Sequence, residues 1–218
     1  MSHAIWSVIL VCAAARAQTV SLAELRPPDQ RARSAQREGL KLSAAGDHAR
    51  AAAALEKAVA LDPTYALALG DLGGQYVLLG RYQEAITTLG RALAIAPAAS
   101  WLHSNFALAL IKSGRLAEAE QSARNAIHLN PGNMQAHYLL GCALVIENNR
   151  AEGIQELEAA AGEVPEAYRA LAQTYQLDGQ TDLARAEQYQ YQVATEARSR
   201  KKTGAWQDAL LPFGTRVK

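Results

Sequence analysis

The sequence offers little support for disulfide bonding or for strong electrostatic attraction. It has only two cysteines, Cys12 and Cys142. Cys12 lies in a segment that we expect to be removed, so one thiol remains and no intramolecular disulfide is expected. The 22 Lys and Arg residues are balanced by 21 Asp and Glu residues. Because this balance gives no general attraction to nucleic acid or to an anionic membrane, we predict neither as a partner.

The chain also lacks a hydrophobic run long enough to cross a bilayer. Its apolar stretch near the amino terminus starts at Ala4 and has 12 residues, whereas a membrane-spanning helix needs about 20. The stretch ends in Ala15-Arg16-Ala17, an A-x-A pattern typical of signal-peptidase sites. We therefore predict a signal peptide at residues 1–17 and an exported protein, periplasmic or secreted, without membrane contact after cleavage. Since no Lys or Arg precedes the run, an uncleaved anchor is the alternative.

Aromatic residues are scarce, at 6% of the chain, although half of all residues are hydrophobic. Alanine supplies much of that hydrophobic half. It is the strongest helix former, and its small side chain allows helix axes to approach closely. The composition therefore predicts a core made of closely packed helices.

Internal repetition, by contrast, is pronounced. Four prolines recur at an interval of 34 residues, at Pro63, Pro97, Pro131 and Pro165. A turn dipeptide stands 17 residues before each proline, at Gly46-Asp47, Gly80-Arg81, Gly114-Arg115 and Asn148-Asn149. A small residue also recurs at a fixed offset, at Ala51, Ala85, Ala119 and Gly153. A period of this length is typical of architectures in which stacked copies of one unit share a core.

Each unit of this period is predicted to form two helices joined by a tight turn. Gly or Asn at the turn adopts the left-handed backbone that ends a helix, and the proline stops the second helix. The pattern resembles the tetratricopeptide repeat family over about residues 32–192. This resemblance implies an all-α fold, a right-handed superhelical solenoid of helix-turn-helix repeats.

The solenoid is expected to occupy residues 32–200, with units at about 32–65, 66–99, 100–133, 134–164 and 165–198. The turn of the fifth unit, at Gly179, arrives three residues early, which predicts a shortened preceding loop. Before the solenoid, residues 18–31 are predicted to form an extended leader. After it, residues 201–218 are predicted to be a loosely ordered tail. The last helix, from about Thr181 to Arg200, is expected to cap the solenoid with a polar outer face.

The family resemblance also implies that the first helix of each unit lines a concave face. The partner-binding residues expected on this face are Trp101, Tyr138, Leu67, Asn105, Leu108 and Val145. Because its centre is apolar, the face suits a peptide or helix with hydrophobic anchors. Packing between neighbouring helices is the competing interpretation for the aliphatic members. Some family members clamp a peptide carboxylate, but Asp71 brings the wrong charge to a clamp position, so that mode is not expected.

No catalytic or cofactor-binding pattern emerges from the sequence. The glycines stand at repeat positions and form no phosphate-binding loop. His103 and His137 are 34 residues apart, but no further ligand joins them at metal-binding spacing. Cys142 lies in an apolar helical stretch and is interpreted as a packing residue. We therefore predict no enzymatic activity, no metal and no cofactor.

Two functional hypotheses follow. The first is a non-catalytic scaffold that binds a protein or peptide partner on the concave face. The second is an accessory or regulatory subunit of an envelope or secretion complex, which would use the convex face or the C-terminal tail. The partner's identity and the oligomeric state are not specified by the sequence, because this kind of fold serves many processes.

Overall fold

The computed structural model describes residues 27–202, and the regular structure of this part of the chain is entirely α-helical. The ten helices within these residues are α1 Gln30–Ala44, α2 His48–Leu61, α3 Ala66–Leu78, α4 Tyr82–Ile95, α5 Ser100–Lys112, α6 Leu116–Leu129, α7 Met134–Ile146, α8 Arg150–Ala161, α9 Glu166–Leu177 and α10 Thr181–Lys202. They form five consecutive pairs, and the predicted all-α solenoid is confirmed. Between residues 27 and 202, no helix has the length and hydropathy needed to span a membrane. The predicted signal peptide lies outside the described residues.

Left-handed residues separate the two helices of every pair. Four pairs use glycine, with φ angles of 81° at Gly46, 74° at Gly80, 79° at Gly114 and 73° at Gly179. In the remaining pair Asn148 takes this place with a φ of 67°. Asparagine tolerates this conformation better than most residues that carry a β-carbon. The turn dipeptides seen in the sequence therefore mark the points where the chain reverses.

The packing of the helices shows which side of the solenoid is concave. The first helices of the pairs, α1, α3, α5, α7 and α9, each contact the first helix of the neighbouring pair. Among the described residues, the second helices contact only first helices and never one another. The first helices therefore lie closer together and form the inner layer of a curved stack, while the second helices form the outer layer.

Close approach within a pair depends on complementary side-chain sizes. A β-carbon at Gly39 would lie 2.7 Å from Leu55 Cγ, and one at Gly141 would lie 2.7 Å from Leu157 Cγ. In the third pair both partners are alanine, because Ala107 replaces the glycine and Ala123 replaces the leucine. Both alanines belong to one buried cluster. The space between the two helices is thus filled although the residues differ.

Two predicted boundaries differ from the structure. Helix α1 begins at Gln30, so residues 30 and 31 are helical and not part of an extended leader. The cause is Asp29, whose side chain caps the helix by accepting a hydrogen bond of 2.7 Å from the Arg31 amide. At the other end α10 continues to Lys202, two residues into the predicted tail.

The early turn of the fifth unit has a different cause from the one predicted. The connection before α9 is not shortened, because residues 162–165 match the four-residue connections at 62–65, 96–99 and 130–133. The missing residues come from the helices themselves. Helix α8 has 12 residues where α2, α4 and α6 have 14, and α9 has 12 where α3, α5 and α7 have 13.

The last helix, predicted to present a polar outer face, also exposes three apolar side chains. Leu183, Tyr189 and Val193 are 48%, 64% and 44% exposed. Tyr189 and Val193 are four residues apart and share one side of α10, whereas Leu183 points about 120° away from Tyr189, because each helical residue advances the side-chain direction by about 100°. The end of the described solenoid therefore presents exposed apolar side chains, which the abundance of Gln, Glu and Arg in the helix concealed.

Candidate functional site

The predicted partner-binding residues lie on the first helices, but they are largely packed against the fold. Leu67, Trp101 and Leu108 are half-buried and pack against one hydrophobic cluster. Tyr138 and Val145 are half-buried against another. The six residues do share the concave layer, yet most of their surface is used within the solenoid. For the aliphatic members, this favours the competing interpretation, packing between helices.

Trp101 illustrates how this packing arises. A β-carbon added at Gly70 of α3 would overlap the Trp101 ring and would lie 2.6 Å from Leu102 Cδ2. The indole therefore fills space that the glycine leaves open on the preceding first helix. Trp101 joins two neighbouring units, so its loss would remove packing as well as surface.

Tyr138 and Cys142 lie one helical turn apart on α7, and both are shielded from water. Burial raises the pKa of the Tyr138 hydroxyl well above its usual range, with a smaller contribution from Cys142. Burial also raises the pKa of the Cys142 thiol to about 11, although the hydrogen bond with Tyr138 opposes this shift. A thiol in such surroundings is a poor nucleophile, which agrees with a packing role.

Polar side chains connect the first two units beneath the concave face. The Tyr65 hydroxyl donates a hydrogen bond of 2.6 Å to Gln36 Oε1, and Gln36 Nε2 donates one of 2.7 Å to Asp71 Oδ2. Asp71 is only 3% exposed. Burial raises the pKa of its carboxyl to about 7, and the Gln36 hydrogen bond opposes that rise.

A related but different network connects the third and fourth units. Asn133 Nδ2 donates hydrogen bonds of 2.8 Å to both Ser100 Oγ and Ser104 Oγ. Asn133 lies two repeat periods after Tyr65, and Ser104 lies two periods after Gln36. The solenoid thus reuses one pair of positions for polar contacts with different residue types.

Asn105 occupies the position equivalent to Asp71 in the next unit, and its Nδ2 group has no hydrogen-bond partner among the described residues. Asn105 is only 3% exposed. One unit after Gln36 the equivalent residue is Gly70, which has no side chain to offer. Asn105 therefore lacks a counterpart of the bond between Gln36 and Asp71.

The most exposed apolar residues of the inner layer are ones that the sequence analysis did not select. Leu78, Ile146 and Leu177 are 44%, 59% and 70% exposed. Each stands two residues before a left-handed turn residue, at the end of a first helix. Lys112 takes this position in the third unit and is also exposed. We call Leu78, Ile146 and Leu177 the apolar row.

Helical geometry places the apolar row on the concave side. Leu78 follows Leu67, Asp71 and Gly74 at intervals of four, three and four residues, which is the spacing of one helix face. The same intervals relate Ile146 to the inner residues of α7. The sequence therefore contained a signal for the apolar row, because an apolar residue recurs two positions before the turn.

The described residues provide no evident site for metal chemistry. No group of three or more His, Cys, Asp or Glu side chains between residues 27 and 202 is placed to hold a metal ion. His103 Nε2 lies 2.9 Å from the Pro97 carbonyl oxygen, and His137 Nε2 lies 3.1 Å from that of Pro131. His137 Nδ1 also lies 2.6 Å from Glu156 Oε2. The two imidazoles are thus engaged with separate local partners and do not form a joint site.

Fold and surface together define an α-solenoid with an exposed apolar row along its inner layer. The tetratricopeptide repeat family model matches residues 42–104 and again residues 76–140. With the five helical pairs described above, this match identifies the chain as a tetratricopeptide repeat protein. No curated protein matches the sequence significantly.

Several solved structures share this fold. PilW, described as a widely conserved type IV pilus biogenesis factor, is 22% identical, with a TM-score of 0.70 over 77% of this chain and 79% of its own. TTC0263, a thermophilic protein of Thermus thermophilus, is 22% identical, with a TM-score of 0.67 over 79% of this chain and 97% of its own. YrrB, described as having an unusual peptide-binding site, is 22% identical, with a TM-score of 0.55 over 72% of this chain and 82% of its own. At these identities the likeness establishes the fold alone.

Proposed function

We propose that the protein is a non-catalytic scaffold that binds a peptide or helix on the concave face of the solenoid. The observation that carries the proposal is the apolar row, which leaves Leu78, Ile146 and Leu177 between 44% and 70% exposed along the inner layer. Exposed apolar side chains arranged along a groove are typical of interaction surfaces. The peptide-binding site of YrrB, on the same fold, supports this class of function.

The spacing of the row suits a chain that crosses the helices. Packed helix axes lie about 8–10 Å apart. Three residues of an extended polyproline II segment span about 9 Å and complete one turn, which returns the side chain to the same side. An apolar anchor at every third residue of such a segment therefore meets successive first helices. Lys112 interrupts the row and faces the same path. A partner segment with two or three apolar anchors and a polar residue between them therefore fits.

The test compares the row with an equally apolar site elsewhere. Leu78→Glu combined with Ile146→Glu should abolish capture of the partner with only a small change in the thermal midpoint, because the two side chains are 44% and 59% exposed. Leu129→Glu is the matched control, since Leu129 is 39% exposed at the end of the second helix α6. If the double variant folds and retains the partner as well as the control does, the groove is not the binding surface.

A second candidate function uses the last helix in place of the groove. The exposed side chains of Leu183, Tyr189 and Val193 on α10 provide apolar surface for docking an accessory or regulatory subunit onto an envelope or secretion complex. Tyr189→Glu should then remove the partner while the variants of the apolar row keep it. The tail beyond residue 202, predicted as a further docking element, lies outside the described residues.

Export remains a proposal that rests on the sequence. The predicted cleavage site precedes Gln18, and an exported mature protein would begin there. Amino-terminal sequencing of the protein from its native envelope fraction tests this directly. A chain that still begins at Met1 would favour the uncleaved anchor.

A further inference from the structure

The inner layer holds a buried acidic side chain, Asp71, that has no counter-charge among the described residues. Asp71 is 3% exposed, and its one side-chain hydrogen bond comes from the neutral amide of Gln36. No Lys, Arg or His side chain within residues 27–202 forms an ion pair with it. A carboxylate buried without a cation is unfavourable, because burial removes the water that stabilises its charge.

Other charged groups lie on the elements that pack around Asp71, and they affect the pKa of Tyr65. Burial raises the pKa of Tyr65, and so do the carboxylates Asp71 and Asp62. Arg33 and Arg37 of α1 lower it. The pKa of Asp71 itself is governed by burial and by Gln36. The rise of this pKa to about 7 agrees with a carboxyl group that is buried and forms no ion pair within residues 27–202.

A second, independent observation lies one unit further along. Asn105, at the position equivalent to Asp71, keeps a buried amide donor without a partner among the described residues. A backbone carbonyl of an extended segment is the kind of acceptor that an asparagine donor on a groove can take. The unpaired donor and the uncompensated carboxylate therefore suit an acceptor and a cation at neighbouring positions.

The aromatic ring of Trp101 suits the same ligand. The Trp101 ring covers Gly70, the residue directly before Asp71, and stands one helical turn before Asn105. The face of an indole attracts ammonium and guanidinium groups through its quadrupole. Carboxylate, indole and amide donor together thus match a basic residue within an extended chain.

We propose that the partner segment inserts a Lys or Arg side chain into the inner layer at the second and third units. Asp71 of the second unit pairs with the cation, and Asn105 of the third unit donates a hydrogen bond to a backbone carbonyl of the same segment. This inference rests on the proposed function and specifies the chemistry of its ligand. Gln36 covers the carboxylate in the free protein, so its amide turns aside when the cation enters. Tyr65, which donates to Gln36, anchors the displaced side chain.

The experiment uses fluorescent peptides of about nine residues, a length suited to a groove that crosses several helices. All are built on a background of Ala, Ser and Gln. The first pool has Leu at every third position and a central Arg, the second has citrulline, the neutral isostere, in place of Arg, and the third replaces every Leu of the first by Ser. Anisotropy is measured with the wild type, with Asp71→Asn, and with Asp182→Asn. The last is a charge-matched control, because the Asp182 side chain is 95% exposed.

At a pH of about 8 the wild type should bind the Arg pool about tenfold more tightly than the citrulline pool. Asp71→Asn should lose this preference, and Asp182→Asn should keep it. Lowering the pH to about 5.5 should reduce the preference of the wild type, because Asp71 then carries a proton. Circular dichroism confirms that the variants fold.

Three other outcomes would overturn the inference. If the Arg and citrulline pools bind the wild type equally, and both bind better than the Ser pool, the groove binds apolar segments but recognises no cation. If Asp71→Asn keeps the preference, another residue recognises the cation. If neither Leu-containing pool binds better than the Ser pool, the proposed function fails as well.

Discussion

The indole ring of Trp101 occupies the space that a side chain at Gly70 would need. The two residues lie on consecutive first helices, so the contact fixes the distance between the second and third units. A residue that the sequence presents as a groove anchor is therefore also part of the inter-unit packing. A test of the groove that substitutes Trp101 would confound lost binding with lost stability.

Substituting the glycine of this contact should destabilise the protein. In Gly70→Ala the new methyl group overlaps the Trp101 ring and Leu102, and overpacking of this kind costs about 1–3 kcal/mol. Gly90→Ala is the matched control, because a β-carbon at Gly90 meets no heavy atom within 4 Å. Alanine in this helix interior should raise the free energy of unfolding by about 1 kcal/mol. Urea denaturation of both variants measures the contrast, and equal effects would refute the packing role of Trp101.

The buried carboxyl of Asp71 should make stability depend on pH in an unusual direction. Its pKa is raised from 3.8 to about 7, so the folded state retains a proton that the unfolded state has lost between these values. Stability contributed by this group therefore falls as the pH rises from about 4 to about 7, and is level above that. A pKa difference of about three units between the folded and unfolded states changes the free energy of unfolding by at most about 4 kcal/mol.

Asp71→Asn isolates this effect because it keeps the shape and removes the titration. The free energy of unfolding of the variant, minus that of the wild type, should increase steadily over this pH window. Other titrating groups cancel in the difference. A difference that does not change with pH would mean that Asp71 ionises in the folded protein as readily as in the unfolded chain.

The Cys142 thiol should react slowly with alkylating reagents. Burial raises its pKa to about 11, and only the thiolate is nucleophilic. At a pH of about 8 the thiolate fraction is lower by about 100-fold than that of an unperturbed cysteine. Mass spectrometry of the folded protein treated with iodoacetamide follows the rate, and the urea-unfolded protein provides the reference. Labelling of the folded protein at the reference rate would contradict the shielding by Tyr138 and its neighbours.

The fold could be predicted from the sequence because the period places chemically constrained residues at fixed points. Glycine at the left-handed turns and proline after the second helices have few substitutes. Asn148 fits the same rule, since asparagine also accepts a positive φ. The shortened α8 and α9 could not be distinguished from a shortened loop, because both remove the same number of residues from the period.

The candidate site was harder to predict, because exposure depends on what each side chain meets in the next unit. Trp101 is packed because Gly70 leaves room for it, whereas Leu78 and Ile146 are exposed because they stand at helix ends. Asp71 was recognised as a departure from carboxylate clamping, yet its hydrogen bond comes from Gln36, which lies 35 positions earlier. Periodicity identifies equivalent positions, but it does not give the contacts between different residue types at those positions.

Site-specific photocrosslinking tests the central claim, binding along the apolar row, most directly. A photoreactive phenylalanine analogue is placed singly at Leu78, Ile146 or Leu177, with Leu129 on α6 as the control position. All three row positions should crosslink to one and the same partner in native cells, and Leu129 should not. Crosslinks of equal yield from Leu129, or a different protein from each row position, would contradict the claim.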